Sequence, residues 1–62
     1  MPYSFGDMRA AAEREVKQRE RVYPRLIESR RMTRGQADRE TAIMRAIADH
    51  FRELERKSER LF

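Results

Sequence analysis

The sequence predicts an all-α protein, an antiparallel two-helix hairpin that we expect to dimerise into a four-helix bundle. Apolar residues recur at steps of three and four along nearly the whole chain of 62 residues. A helix-start signal also stands in the middle of the chain, because Thr33 and Gln36 have the spacing of a capping box. This signal divides the chain into two helices of nearly equal length within a single domain, residues 1–62.

The first helix is predicted over about residues 4–30. Ser4 has the position of an N-cap, with Asp7 three residues later. Arg19 interrupts the apolar face that follows, where its aliphatic stem can cover apolar surface while the guanidinium reaches water. The apolar residues of this face follow helical spacing: Phe5, Met8, Ala12, Val16, Tyr23, Leu26 and Ile27.

Pro24 is the strong irregularity of the first helix. It removes a backbone donor and crowds the carbonyl of Glu20, and it disfavours the α conformation at Tyr23. Two outcomes are open: the helix bends and continues, or it stops near Val22 and restarts. The phase of the apolar residues favours the bend, since Tyr23 and the residues after it keep the face set by Val16.

The second helix is predicted over about residues 33–60, after a turn at about 30–32. The turn lacks glycine, so Arg30 or Arg31 is expected to take a mildly strained conformation. Within the second helix we expect Phe51 and Leu54 to be the most buried residues. The residues of its seam follow one another at alternating, heptad-like steps of four and three: Glu40, Met44, Ile47, Phe51, Leu54, Ser58 and Leu61.

Composition argues against several classes of function. The chain has no cysteine, and its lone His50 cannot make a zinc site unaided. Ser4 and Thr33 are explained as caps, and no nucleophile with a base or paired acids is evident. The sequence therefore predicts no enzyme, no cofactor and no metal. No apolar run approaches the ~20 residues that cross a bilayer, and the N-terminus lacks signal-peptide features, so we expect a cytoplasmic protein and no membrane partner.

Charge is concentrated around the predicted turn. Residues 19–34 contain six arginines and two glutamates, so their net charge of +4 equals that of the whole chain. Three interpretations are open: a solvated helix end, a site for an acidic protein surface, or a site for nucleic-acid phosphate. Arginine suits forked contacts with carboxylate or phosphate. The candidate partner-binding residues, here called the arginine tip, are Arg21, Tyr23, Arg25, Arg30, Arg31 and Arg34.

The apolar faces are the second candidate surface. Two amphipathic helices cover one another only in part, so a second copy of the chain could complete a four-helix bundle. A helix of a different protein could dock there as well. The candidate interface residues are Phe5, Met8, Val16, Met44, Ile47, Phe51, Leu54 and Leu61.

A resemblance to a group of known proteins rests on three segments of the sequence: Arg19–Leu26, Arg31–Thr33 and Ala37–Met44. Over about residues 13–47 the chain resembles a group of small uncharacterised proteins from phages and prophages of proteobacteria. The resemblance implies phage origin, transfers no functional residue, and places glycine where this chain has Arg30. We therefore predict a small non-enzymatic accessory protein that binds a host or phage protein. The alternative is a nucleic-acid-associated accessory protein that uses the arginine tip.

Overall fold

The computed structural model describes residues 2–60, apart from the side chain of Arg60. Two antiparallel helices make up the fold: α1, Phe5–Glu28, and α2, Arg34–Arg60. They pack along their length into a rod whose principal extents are 49 × 18 × 16 Å. No strand occurs among the described residues. The predicted all-α hairpin is confirmed.

α1 begins with the predicted cap and runs through its proline. The Ser4 hydroxyl accepts from the Asp7 backbone N–H at 3.0 Å, and the Asp7 carboxylate accepts from the Ser4 N–H at 3.2 Å. This capping box satisfies two N–H groups that helix geometry leaves without partners. Pro24 lies inside the helix, which continues to Glu28. Of the two outcomes open at Pro24, the continuous helix is the observed one.

α1 ends two residues earlier than expected, because Arg30 takes a left-handed conformation with φ of 63°. The Arg30 N–H donates to the Ile27 carbonyl at 3.0 Å, and the Arg31 N–H donates to the Leu26 carbonyl at 2.9 Å. This pair of bonds is a Schellman motif. Its left-handed position usually belongs to glycine, which pays no steric penalty there. The strained turn residue expected at position 30 or 31 is therefore Arg30.

α2 begins with the capping box predicted in the middle of the chain. The Thr33 hydroxyl accepts from the Gln36 N–H at 3.1 Å, and the Gln36 side-chain oxygen accepts from the Thr33 N–H at 3.0 Å. The helix then runs from Arg34 to Arg60 without interruption. The turn between the helices is therefore fixed at both ends, by the Schellman motif of α1 and by this cap.

The interior of the hairpin consists of small side chains. Among residues 2–60, Ala12, Ala37 and Ala48 are buried, each 4% exposed. The expectation that Phe51 and Leu54 would be the most buried is wrong, because both are half-buried. Alanine allows the two backbones to approach closely, whereas a large side chain moves to the flank of the contact, where only one neighbouring helix covers it. Among the described residues, no large side chain is fully buried.

Candidate functional site

The arginine tip forms the closed end of the hairpin. Its arginines lie in the last turns of α1, in the connection and at the first residue of α2, and all of them are exposed. Arg21 donates from Nη2 to the Gln18 side-chain oxygen at 2.6 Å. The other four form no ion pair within the part of the chain that the structure describes: Arg25, Arg30, Arg31 and Arg34.

One of the two glutamates in the basic segment is held by the opposite helix. Arg45 of α2 donates from Nη2 to Oε1 of Glu20 at 2.6 Å. Glu20 therefore does not neutralise an arginine of the tip. Glu28, at the end of α1, is the other acid of the segment, and it makes no ion pair with a described side chain. The tip thus keeps most of its positive charge.

Tyr23 is half-buried rather than displayed at the tip. The guanidinium carbon of Arg19 lies 6.0 Å from the centroid of the Tyr23 ring, within reach of a cation–π contact. The same guanidinium donates from Nη1 to the Glu40 backbone carbonyl at 2.8 Å and from Nε to Glu15 at 3.1 Å. The bond to Glu40 therefore ties the two helices together, a role of Arg19 that the sequence did not predict.

A groove of about 610 Å³ lies between the helices beside the arginine tip. Tyr23, Pro24, Ile27 and Ala37 supply the apolar part of its lining. Charges of both signs supply the rest: Arg19, Glu20, Glu28, Arg34, Asp38 and Arg45, with Thr41 as the uncharged polar residue. Sequence reasoning missed this groove. The sequence feature that could have indicated it is the short connection between the helices, which brings the last turns of α1 opposite the first turns of α2.

Ion pairs join the helices along one long side of the hairpin, here called the charged side. Arg52 donates to Glu13 at 2.6 Å, and Arg9 donates to Glu55; the Glu20–Arg45 pair continues this row toward the tip. The hydrogen bond from Arg52, with the nearby charge of Arg9, holds the pKa of Glu13 below its ordinary value. The hydrogen bond to Glu55 raises the pKa of Arg9, and the hydrogen bond to Glu13 raises the pKa of Arg52.

The larger apolar side chains gather on the opposite long side. Helical spacing places residues 8, 22 and 26 of α1 and residues 44, 47, 51 and 54 of α2 on the flank opposite the ion pairs of the charged side. Ile47 is 39% exposed, and the other six are half-buried. These residues are here called the apolar side: Met8, Val22, Leu26, Met44, Ile47, Phe51 and Leu54.

The apolar side contains five of the eight predicted interface residues. Val16 lies elsewhere, in a shallow groove with Glu13 and Arg52 on the charged side. Phe5 is half-buried at the start of α1, and Leu61 lies outside the described residues. Sequence reasoning did not select Val22 or Leu26 for the interface. Their signal was the heptad-like spacing of residues 8, 12, 15, 19, 22 and 26.

Residues typical of other kinds of site do not cluster in the part of the chain that the structure describes. His50 is exposed, and its ring meets the edge of Phe51 at a centroid distance of 5.6 Å. Within residues 2–60, no three side chains of the metal-binding types come together. Neither described helix is both long enough and apolar enough to cross a bilayer. The chain matches no protein-family model, no curated protein and no solved structure.

Proposed function

We propose that the protein is a small non-enzymatic accessory protein of phage type that binds an acidic segment of a host or phage protein at the arginine tip. The observation that carries this proposal is the exposure of Arg25, Arg30, Arg31 and Arg34, which form no ion pair with a described side chain. Arg34 also lines the partly apolar groove. Arginine donates two parallel hydrogen bonds to a carboxylate. A segment with acidic and apolar side chains would contact the arginines through its carboxylates and the groove through its apolar side chains.

The lining of the groove favours a protein partner over nucleic acid. Glu28 and Asp38 line it, and both would repel a phosphate backbone. Tyr23, the aromatic residue of the tip, is packed against Arg19, whereas single-stranded nucleic acid is bound by bases stacked on exposed aromatic rings. A protein segment, unlike a phosphate backbone, can have uncharged or basic side chains opposite Glu28 and Asp38.

Nucleic-acid association is the second candidate, and the Glu20–Arg45 ion pair is the observation that favours it. This pair neutralises one of the two carboxylates that would otherwise oppose phosphate at the tip. Binding would then depend on backbone phosphates and would be nonspecific in sequence.

The proposal also covers the origin, the location and the oligomeric state of the protein. Phage origin rests on the resemblance of residues 13–47. A cytoplasmic location in the host is supported by the absence of cysteine and by a charged fraction of 42%. A homodimer is supported by the half-buried state of the larger apolar side chains.

The test compares two triple variants of equal charge. Arg30, Arg31 and Arg34 are replaced with Gln in one, and Arg14, Arg39 and Arg56, which are exposed outside the tip, are replaced with Gln in the control. Fluorescence anisotropy would measure binding of a short peptide of glutamate and leucine, and of a duplex DNA of random sequence. Both titrations would be run at low salt and at about 150 mM salt, where exposed charges are screened beyond about 8 Å.

We expect the wild type and the control variant to retain peptide binding at the higher salt, and the tip variant to lose it. DNA binding should be negligible at that salt for all three proteins. Tight wild-type DNA binding, with a salt slope that the tip variant reduces by about one unit per lost phosphate contact, would establish the second candidate instead. Equal peptide binding by all three proteins would indicate that the tip is a solvated helix end and would contradict the proposal.

A further inference from the structure

We infer that the apolar side is covered by a second copy of the chain, and that the two hairpins lie antiparallel, with their arginine tips at opposite ends of the dimer. This inference rests on the homodimer of the proposed function and adds to it the surface that the second copy covers and the orientation of the two copies. It rests on the surface area of the chain, on the spacing of its apolar residues and on the distribution of its charge.

The hairpin exposes more surface than a compact protein of its mass. Its accessible surface is 5263 Å² for 7.5 kDa, whereas a compact monomer of that mass exposes roughly 4,200 Å². The excess of about 1,000 Å² is close to the ~800 Å² that each subunit buries in an interface of standard size. One interface along the 49 Å length of the hairpin would therefore bring the exposed surface to an ordinary value.

The apolar side has the spacing that a four-helix bundle requires. Residues 8, 12, 15, 19, 22 and 26 of α1, and residues 37, 40, 44, 47, 51, 54 and 58 of α2, follow alternating steps of three and four. Ala12 and Ala37 are buried within the hairpin, each on its own helix. The larger members lie on one flank, where a helix in such a bundle meets its second neighbour. A second hairpin supplies both missing helices at once.

Three polar residues of this pattern, Glu15, Arg19 and Glu40, are already paired with one another within one chain. The Arg19 side chain is 22% exposed and forms ion pairs with Glu15 and Glu40. Burying an unpaired guanidinium would be strongly unfavourable, whereas this guanidinium reaches the apolar side with hydrogen bonds in place. A second copy can therefore cover the apolar side without an unpaired arginine beneath it.

The charge distribution selects the orientation. All of the net charge of +4 lies in residues 19–34, and the rest of the chain is neutral. Parallel hairpins would place two such segments side by side, where they repel. A two-fold axis across the rod instead places the Val22–Leu26 end of one copy against the Met8 and Leu54 end of the other. The side chains at both of these ends of the apolar side are apolar, and the contact is isologous.

The first test measures assembly. Ile47 is replaced with Glu, and Ala42, which is exposed on the back of the same helix, is replaced with Glu as the control. Ile47 is 39% exposed in the single hairpin, so the substitution should leave the hairpin folded, and far-ultraviolet circular dichroism checks this. Val22→Gln is the second variant and tests the same surface on α1.

In sedimentation equilibrium at micromolar concentration, the wild type and Ala42→Glu should be dimers. Ile47→Glu should weaken dimerisation by about a hundredfold or more, because each dimer would bury two unpaired carboxylates. Val22→Gln should weaken it less. A folded wild-type monomer at these concentrations would overturn the proposal, and so would a dimer that tolerates both substitutions.

The second test measures orientation. Because the chain has no cysteine, Arg31→Cys provides a single site for a spin label in each copy. Antiparallel hairpins should give an inter-label distance comparable to the 49 Å length of the rod. A distance near its 18 Å width would indicate parallel hairpins and would overturn the orientation. Neither test depends on a partner at the tip, so failure here is distinct from failure of the binding proposed at the tip.

Discussion

Glu13 of α1 accepts hydrogen bonds from two arginines, one on each helix. Arg52 of α2 donates to Oε1 at 2.6 Å, and Arg9 of α1 donates to Oε2 at 3.0 Å. Arg9 also donates to Glu55, so the open end of the hairpin carries a chain of four charges that crosses between the helices. Because these bonds favour the ionised carboxylate, the pKa of Glu13 is lowered from 4.5.

A lowered pKa of Glu13 predicts acid-sensitive stability. The unfolded chain binds this proton more readily than the folded one, so the contribution of Glu13 is present above about pH 4.5 and is lost as pH falls through the lower, folded value. Glu13→Gln should reduce the loss of stability in urea melts over this range. Glu59→Gln, at a carboxylate that makes no ion pair with a described side chain, is the control. Identical acid dependence of the wild type and Glu13→Gln would contradict the prediction.

The cap of α2 predicts a graded response at Thr33. Thr33→Ala removes the acceptor of the Gln36 N–H and should destabilise the protein by about 0.5–2 kcal/mol. Thr33→Asp should retain stability, because a carboxylate accepts the same bond and interacts favourably with the helix dipole. Urea melts of the three proteins measure the difference. Equal stability of all three would mean that the cap contributes nothing to the hairpin.

Local signals explain why much of the fold was predictable from the sequence. The two capping boxes and the turn bonds involve groups no more than five positions apart, so short segments predict the caps at Ser4 and Thr33 and a strained residue at position 30 or 31. The continuity of α1 through Pro24 also followed, because the phase of the apolar residues is a property of the helix itself.

The packing of the two helices was less predictable, because each apolar stripe is wider than the contact between them. A helix can rotate within its stripe, and that rotation decides which residues are buried. Ala48 faces the contact, whereas Phe51 lies at its flank and Val16 on the charged side. The Glu20–Arg45 pair and the groove at the tip depend in addition on the register of the two helices. No residue pattern within one helix encodes that register.

The left-handed turn residue predicts a stabilising substitution. This conformation costs a residue other than glycine roughly 1–2 kcal/mol. Glycine avoids that cost but loses more conformational freedom on folding, which destabilises the folded state by roughly 0.5–1 kcal/mol. Arg30→Gly should therefore be more stable than Arg30→Gln by about 0.5–1 kcal/mol. Both variants remove the charge, so thermal or urea melts of this pair isolate the backbone effect. A less stable Arg30→Gly variant would argue against the left-handed turn.

The close approach of the helices predicts that size, rather than hydrophobicity, limits the buried positions. Ala48 is 4% exposed, whereas Ala46 is exposed on the same helix. Ala48→Leu should force the backbones apart and cost about 1–3 kcal/mol. Ala46→Leu should change stability by only a few tenths of a kcal/mol, because leucine and alanine have similar helix propensities. Urea melts at one protein concentration measure both. A stabilising Ala48→Leu would mean that this contact has room for a larger side chain, and that the hairpin is not held at its closest approach by alanine.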